Sequence, residues 1–104
     1  MILRWTEQWY KYELGDNNVK KGEVFYDATP LTKDHIGLPD GMKIDLNGNI
    51  FASGPGGLFI FNASGNLLGK IPFHDASSNC ALANNGKTLF VTVDMNVFRI
   101  VLRK

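Results

Sequence analysis

Gly37-Leu38-Pro39-Asp40-Gly41-Met42-Lys43-Ile44-Asp45, followed by Asn47-Gly48-Asn49-Ile50-Phe51, is the stretch that decides the fold of this chain. Pro39-Asp40-Gly41 is a turn that delivers one carboxylate to the start of a short apolar strand. Asn47-Gly48 ends that strand, and because Gly and Asn tolerate positive φ, the connection to Ile50-Phe51 is a tight hairpin. Outward from this stretch the hydrophobic period stays near two. Short β-rich runs are expected at Trp9–Leu14, Glu23–Asp27, Met42–Asp45, Asn49–Ser53, Gly57–Phe61, Leu67–Pro72, Cys80–Ala83, Thr88–Val93 and Val97–Leu102. Turn clusters separate them at Gly15-Asp16-Asn17, Asn62-Ala63-Ser64-Gly65-Asn66 and Asn84-Asn85-Gly86. Many short strands at this spacing predict an all-β sandwich, barrel or propeller. Only Ile2, Trp5, Trp9 and Tyr12 are spaced as a helical face, in competition with the first strand; residues 1–8 stay unassigned.

Composition fits one ordinary globular domain: 104 residues, 44% hydrophobic and 20% charged, which argues against disorder. A formal net charge of +1 gives no electrostatic case for nucleic acid or an anionic membrane. No apolar run is long enough to span a bilayer, and Arg4 and Glu7 interrupt any leader-like segment. The single cysteine, Cys80, forbids an internal disulfide and fits a reducing compartment, so the expected location is the cytoplasm.

An internal repeat narrows the architecture. Residues 40–51 align without a gap on Asn79-Cys80-Ala81-Leu82-Ala83-Asn84-Asn85-Gly86-Lys87-Thr88-Leu89-Phe90, an offset of 39 residues. That offset is close to the ~40–45 residues of a four-stranded propeller blade.

The stretch from Pro39 through Asn47-Gly48-Asn49 to Gly54-Pro55-Gly56-Gly57-Leu58-Phe59-Ile60-Phe61 resembles the gluconolactonase / senescence-marker-protein / luciferin-regenerating-enzyme family. Asn79-Cys80-Ala81-Leu82 is similar to the start of that family's last blade, and Gly86–Thr92 and Val97–Ile100 to its closing strands. The resemblance implies a six-bladed β-propeller that hydrolyses lactones with a divalent metal, usually calcium. It covers only the C-terminal third of such a propeller: residues 9–27 as two outer strands of a preceding blade, 40–73 as a complete blade, and 79–102 as a last blade lacking its outer strand. About two blades cannot close a ring, which implies an oligomer or a part of something larger. One assembly in which Glu23–Asp27 of one chain completes the last blade of the next would close a six-bladed ring from three chains.

The resemblance makes Asp40 the expected metal ligand and catalytic carboxylate, able to serve as general base toward a water. Read from the residues alone, Asp40 is first a turn residue bonding its own backbone. Asn79 occupies the equivalent place in the repeat and is the second candidate metal ligand, its amide oxygen being acceptable to calcium. A small lactone or sugar-acid-like molecule is the implied ligand. Asp45 and Asn47, like Asp94 and Asn96, read as turn residues, His35 and His74 as loop residues, and Cys80 as a buried inert thiol. Gly54-Pro55-Gly56-Gly57 lacks the lysine and helix of a phosphate loop, and Asn62-Ala63-Ser64 is a glycosylation sequon without a secretion signal. Phe51, Phe59, Phe61, Phe90 and Phe98 are expected to pack between blades. Three functions remain in competition: a calcium-dependent lactonase fragment or subunit, a non-catalytic oligomeric propeller module, and a truncated remnant without activity.

Overall fold

The computed structural model describes residues 7–103. Ile2 and Trp5 of the proposed helical face lie outside them, whereas Trp9 and Tyr12 belong to a strand. The described chain is all-β apart from one 3-10 turn, Thr29–Leu31. Its strands are β1 (Gln8–Leu14), β2 (Val19–Asp27), β3 (Met42–Ile44), β4 (Ile50–Gly54), β5 (Gly57–Phe61), β6 (Leu67–Pro72), β7 (Ser77–Ala83), β8 (Thr88–Val93) and β9 (Asn96–Val101). They form three antiparallel sheets with orders β1-β2, β3-β4-β5-β6 and β7-β8-β9. Each is a meander, the connection that a propeller blade uses. No helix among the described residues is long and apolar enough to cross a membrane.

Two expected strands begin earlier than their apolar residues. β2 starts at Val19 because the polar run Val19–Gly22 continues the ladder against Tyr12–Leu14. β7 starts at Ser77 because Ser77 pairs with Val93 ahead of a bulge that ends at Asn79.

The hairpins follow their turn chemistry. In Asp45–Asn49 the carboxylate Oδ1 of Asp45 accepts the backbone N–H groups of Asn47 and Asn49 at 2.9 and 2.8 Å, and Gly48 takes φ +82°. Asn62 does the same work in the next hairpin, with Oδ1 accepting from Ser64 and Asn66 at 3.0 and 2.9 Å. An Asx side chain closing the loop onto its own backbone is a local signal, which makes both turns legible in the sequence.

The four-stranded sheet is the centre of the molecule because both of its faces are covered. On β4, Ile50 and Ala52 point to one face and Phe51 to the other, the period-two alternation of a strand. The first face joins Phe59 and Phe61 with Trp9 of β1, Ala28, and the partly buried Phe25 and Tyr26. The Trp9 ring lies 5.3 Å from Phe59 and 5.4 Å from Phe61, in the tilted and edge-on arrangements that aromatic quadrupoles favour. The second face joins Phe51 and Leu58 with Cys80, Leu89, Val91 and Val93 of the third sheet. Phe51, Phe59 and Phe61 therefore pack between sheets as expected. Phe98 meets Phe73 at 5.2 Å. Phe90 pairs with Arg99 on the outer face of the third sheet, where Val97 and Val101 are also exposed.

Burial raises the pKa of the Cys80 thiol, with Lys43 opposing weakly, and the thiol donates to the Phe51 carbonyl at 3.5 Å. A neutral buried thiol with no base beside it is inert, as expected.

Trp9 is 1% exposed and, with Phe25 and Tyr26, packs the β1-β2 hairpin onto the four-stranded sheet. Trp9→Ala is expected to lower unfolding free energy by about 3–5 kcal/mol, the cost of an unfilled aromatic site. Urea denaturation checks it; a loss below about 1 kcal/mol would show that the hairpin contributes little to the common fold.

Candidate functional site

The site candidates gather where the second and third sheets meet at their edge strands. β3 is one edge of the four-stranded sheet and β7 one edge of the three-stranded sheet. Asp40 stands two residues ahead of β3, in a turn bonded to both sheets. Its N–H donates to the Ser53 carbonyl at 3.2 Å, and Ser53 N–H donates to the Gly41 carbonyl at 2.9 Å, which ties the turn to β4. Gly41 N–H donates to the Ser78 carbonyl at 2.7 Å, which ties it to β7.

Gly41 has to be glycine for this contact. A Cβ there would lie 2.3 Å from Asn79 Oδ1 and 2.7 Å from the Ser78 carbonyl oxygen, inside any tolerable separation. The partner side is shaped by the bulge between Ser77 and Asn79, which turns the Ser78 carbonyl toward Gly41. Bulges re-aim side chains and terminate regular pairing in this way. A hydroxyl relay fixes the bulge: Thr92 Oγ1 donates to the Asn79 carbonyl at 3.2 Å, which leaves the Ser78 hydroxyl as donor to Thr92 Oγ1 at 2.8 Å.

Asp40 and Asn79 are thus brought together, through Gly41, and both side chains are exposed. The sequence reading missed the third member. Lys43 of β3 donates from Nζ to Asn79 Oδ1 at 3.0 Å and to the Met42 carbonyl at 3.2 Å. Asn79 Oδ1 also accepts the Cys80 N–H at 2.8 Å. The signal was present in the sequence: Lys43 pairs with Phe51, so strand alternation sends its side chain toward the third sheet.

These residues, tested as a calcium site, do not suffice. Calcium takes six to eight oxygens. Here the amide oxygen of Asn79 already accepts two donors, one of them an ammonium that repels a cation. Among the described residues no three His, Cys, Asp or Glu side chains cluster as metal ligands.

The remaining candidates lie elsewhere. Asp45 closes its hairpin turn at the other end of β3, and Asp94 sits in the β8-β9 turn at φ +50°. The His35 ring packs against Gly56 in the Pro55-Gly56 turn, and His74 is an exposed loop residue.

The SMP-30/Gluconolactonase/LRE-like region matches residues 5–94. A gluconolactonase of Zymomonas mobilis is 48% identical over 66 residues, which are 62% of this chain and 18% of that protein. The solved gluconolactonase of Xanthomonas campestris superposes with a TM-score of 0.79 at 26% identity, over 92% of this chain and 30% of its own. A solved luciferin-regenerating enzyme shares the fold, with a TM-score of 0.70 at 16% identity over 86% of this chain and 31% of its own. The chain therefore spans under a third of the length of each of these relatives. A family match across most of the chain and shared all-β blades agree: this chain belongs to the SMP-30/gluconolactonase/LRE-like family.

Proposed function

We propose that this chain forms part of the catalytic rim of a lactone hydrolase, with Asp40 as the carboxylate that faces the substrate. The observation that carries this reading is the placement of Asp40, exposed at the junction of two edge strands and held there by backbone bonds to β4 and β7. Family membership supplies the reaction class, since the Zymomonas mobilis and Xanthomonas campestris relatives are gluconolactonases.

In this reading Asp40 acts as general base. It takes a proton from the water that attacks the lactone carbonyl carbon; the ring C–O bond then breaks, and the proton passes to the departing oxygen. The product is an open-chain hydroxy acid. Asp40 would hold calcium only together with oxygen donors from further blades. The rest of the rim comes from the same source. Among the described residues β9 pairs in its sheet only with β8, and Phe90, Val97 and Val101 are exposed on the outer sheet. Open edges and an apolar face of this kind invite further strands, and a ring of three chains is one way to supply them.

The second reading, a non-catalytic oligomeric module, is favoured by one observation, the incomplete donor set at Asp40. Hydrolysis of glucono-δ-lactone separates the two. We expect Asp40→Ala to lower its rate by at least about a hundredfold while leaving the fold intact, because Asp40 is exposed. Wild-type rate in Asp40→Ala, or no hydrolysis by the wild-type chain, contradicts the hydrolase reading.

Assembly has its own test. Light scattering is expected to give about three times the 11.6 kDa chain mass for a closed ring. A monodisperse monomer contradicts the ring.

A further inference from the structure

The outward-facing chemistry beside Asp40 consists of donors. Asn79 Oδ1 is consumed by the Cys80 N–H and Lys43 Nζ, so the exposed part of that side chain is its Nδ2 amide, which has no protein acceptor among the described residues. Lys43 Nζ has three protons, of which two meet Asn79 Oδ1 and the Met42 carbonyl. The third is left for a ligand. The lysine is exposed.

The lysine is also prepositioned. A free lysine loses rotamer freedom when it is fixed on a ligand. Here two oxygen acceptors fix the ammonium, and Asn79 is itself held by the bulge, the Thr92–Ser78 relay and contact with Gly41. Ordering of this kind before binding is what makes a charged contact worth affinity.

We infer that Lys43, oriented by Asn79, is an anion-recognition residue that binds the carboxylate of an open-chain hydroxy acid. The inference rests on the lactone reading for the identity of the acid, and it deepens that reading. The ammonium sits where a carboxylate oxygen accepts from Lys43 Nζ, with Asn79 Nδ2 as a second donor. Asp40, three residues earlier on the same strand entry, remains on the side where the ring oxygen departs. Asn79 is thereby a positioning residue for Lys43 in place of a metal ligand. Cys80 is the inert backbone donor that keeps the amide turned the right way.

The test is a titration of the wild-type chain with gluconate and, separately, with sorbitol, a neutral polyol of similar size. Binding is followed through the Lys43 Cε signal by NMR. Gluconate is expected to move that signal and sorbitol to leave it unchanged. Lys43→Met, an exposed substitution that keeps the stem, is expected to weaken gluconate at least about tenfold, the loss of one charge-assisted hydrogen bond. Lys43→Arg is expected to recover most of that loss, which a purely structural role would not require. Gluconate affinity unchanged in Lys43→Met overturns the inference, as does an unmoved Lys43 signal in the wild type. If Lys43 reports gluconate while Asp40→Ala leaves lactone hydrolysis untouched, the anion site stands and the hydrolase reading falls. If Asp40→Ala abolishes hydrolysis while Lys43→Met changes nothing, only the anion site falls.

Discussion

The hydrogen bond from Gly41 N–H to the Ser78 carbonyl is the constraint on which the site depends. Two sheets that pack through apolar faces can slide, since hydrophobic contact is not directional. A backbone bond of 2.7 Å between the entry of β3 and the start of β7 fixes the height of one sheet against the other. It needs a residue without a side chain on one strand and a bulge on the other, and the chain supplies both at Gly41 and Ser77–Asn79. Asp40, Lys43 and Asn79 then acquire defined positions as a consequence. The core below, with Phe51 and Leu58 against Leu89, Val91 and Val93, supplies the stabilisation that keeps the sheets together.

The fold was legible because its signals are local. Period-two alternation marked all nine strands, and the Asx turns at Asp45 and Asn62 marked their connections. What local pattern could not mark were the polar continuations. Val19–Gly22 carries two lysines and Ser77–Asn79 no apolar residue, yet both pair because their partner strands offer free ladder groups. The 3-10 turn at Thr29–Leu31 was missed for a similar reason: Ala28, its neighbour, is fully buried, and burial is settled by contacts far away in sequence.

The site was legible in part. Asp40 came from the family resemblance and Asn79 from its equivalent place in the repeat, and the structure sets Asn79 against Gly41, the neighbour of Asp40. Their expected partner was a metal. The structure instead sets an ammonium on Asn79 Oδ1. Lys43 belongs to no motif by itself; strand alternation puts it on the face of Phe51, and the inter-sheet packing turns that face to β7. That is a general feature of edge-strand chemistry: residue identity is written along one strand, whereas the partner is chosen by the height at which two sheets dock.

The proposed activity of the rim depends on sheet registration, so Gly41→Ala is its most direct test. The added methyl group must displace either Asn79 or the β7 backbone, while leaving Asp40, Lys43 and the apolar core chemically unchanged. The measurement is kcat/KM for glucono-δ-lactone, taken with the thermal midpoint of the same protein. A fall of about a hundredfold in a variant that still unfolds cooperatively is the predicted result, as for a catalytic group misplaced by roughly 1 Å. Full activity in folded Gly41→Ala would contradict it, because the site would then not depend on the bond that joins the two sheets.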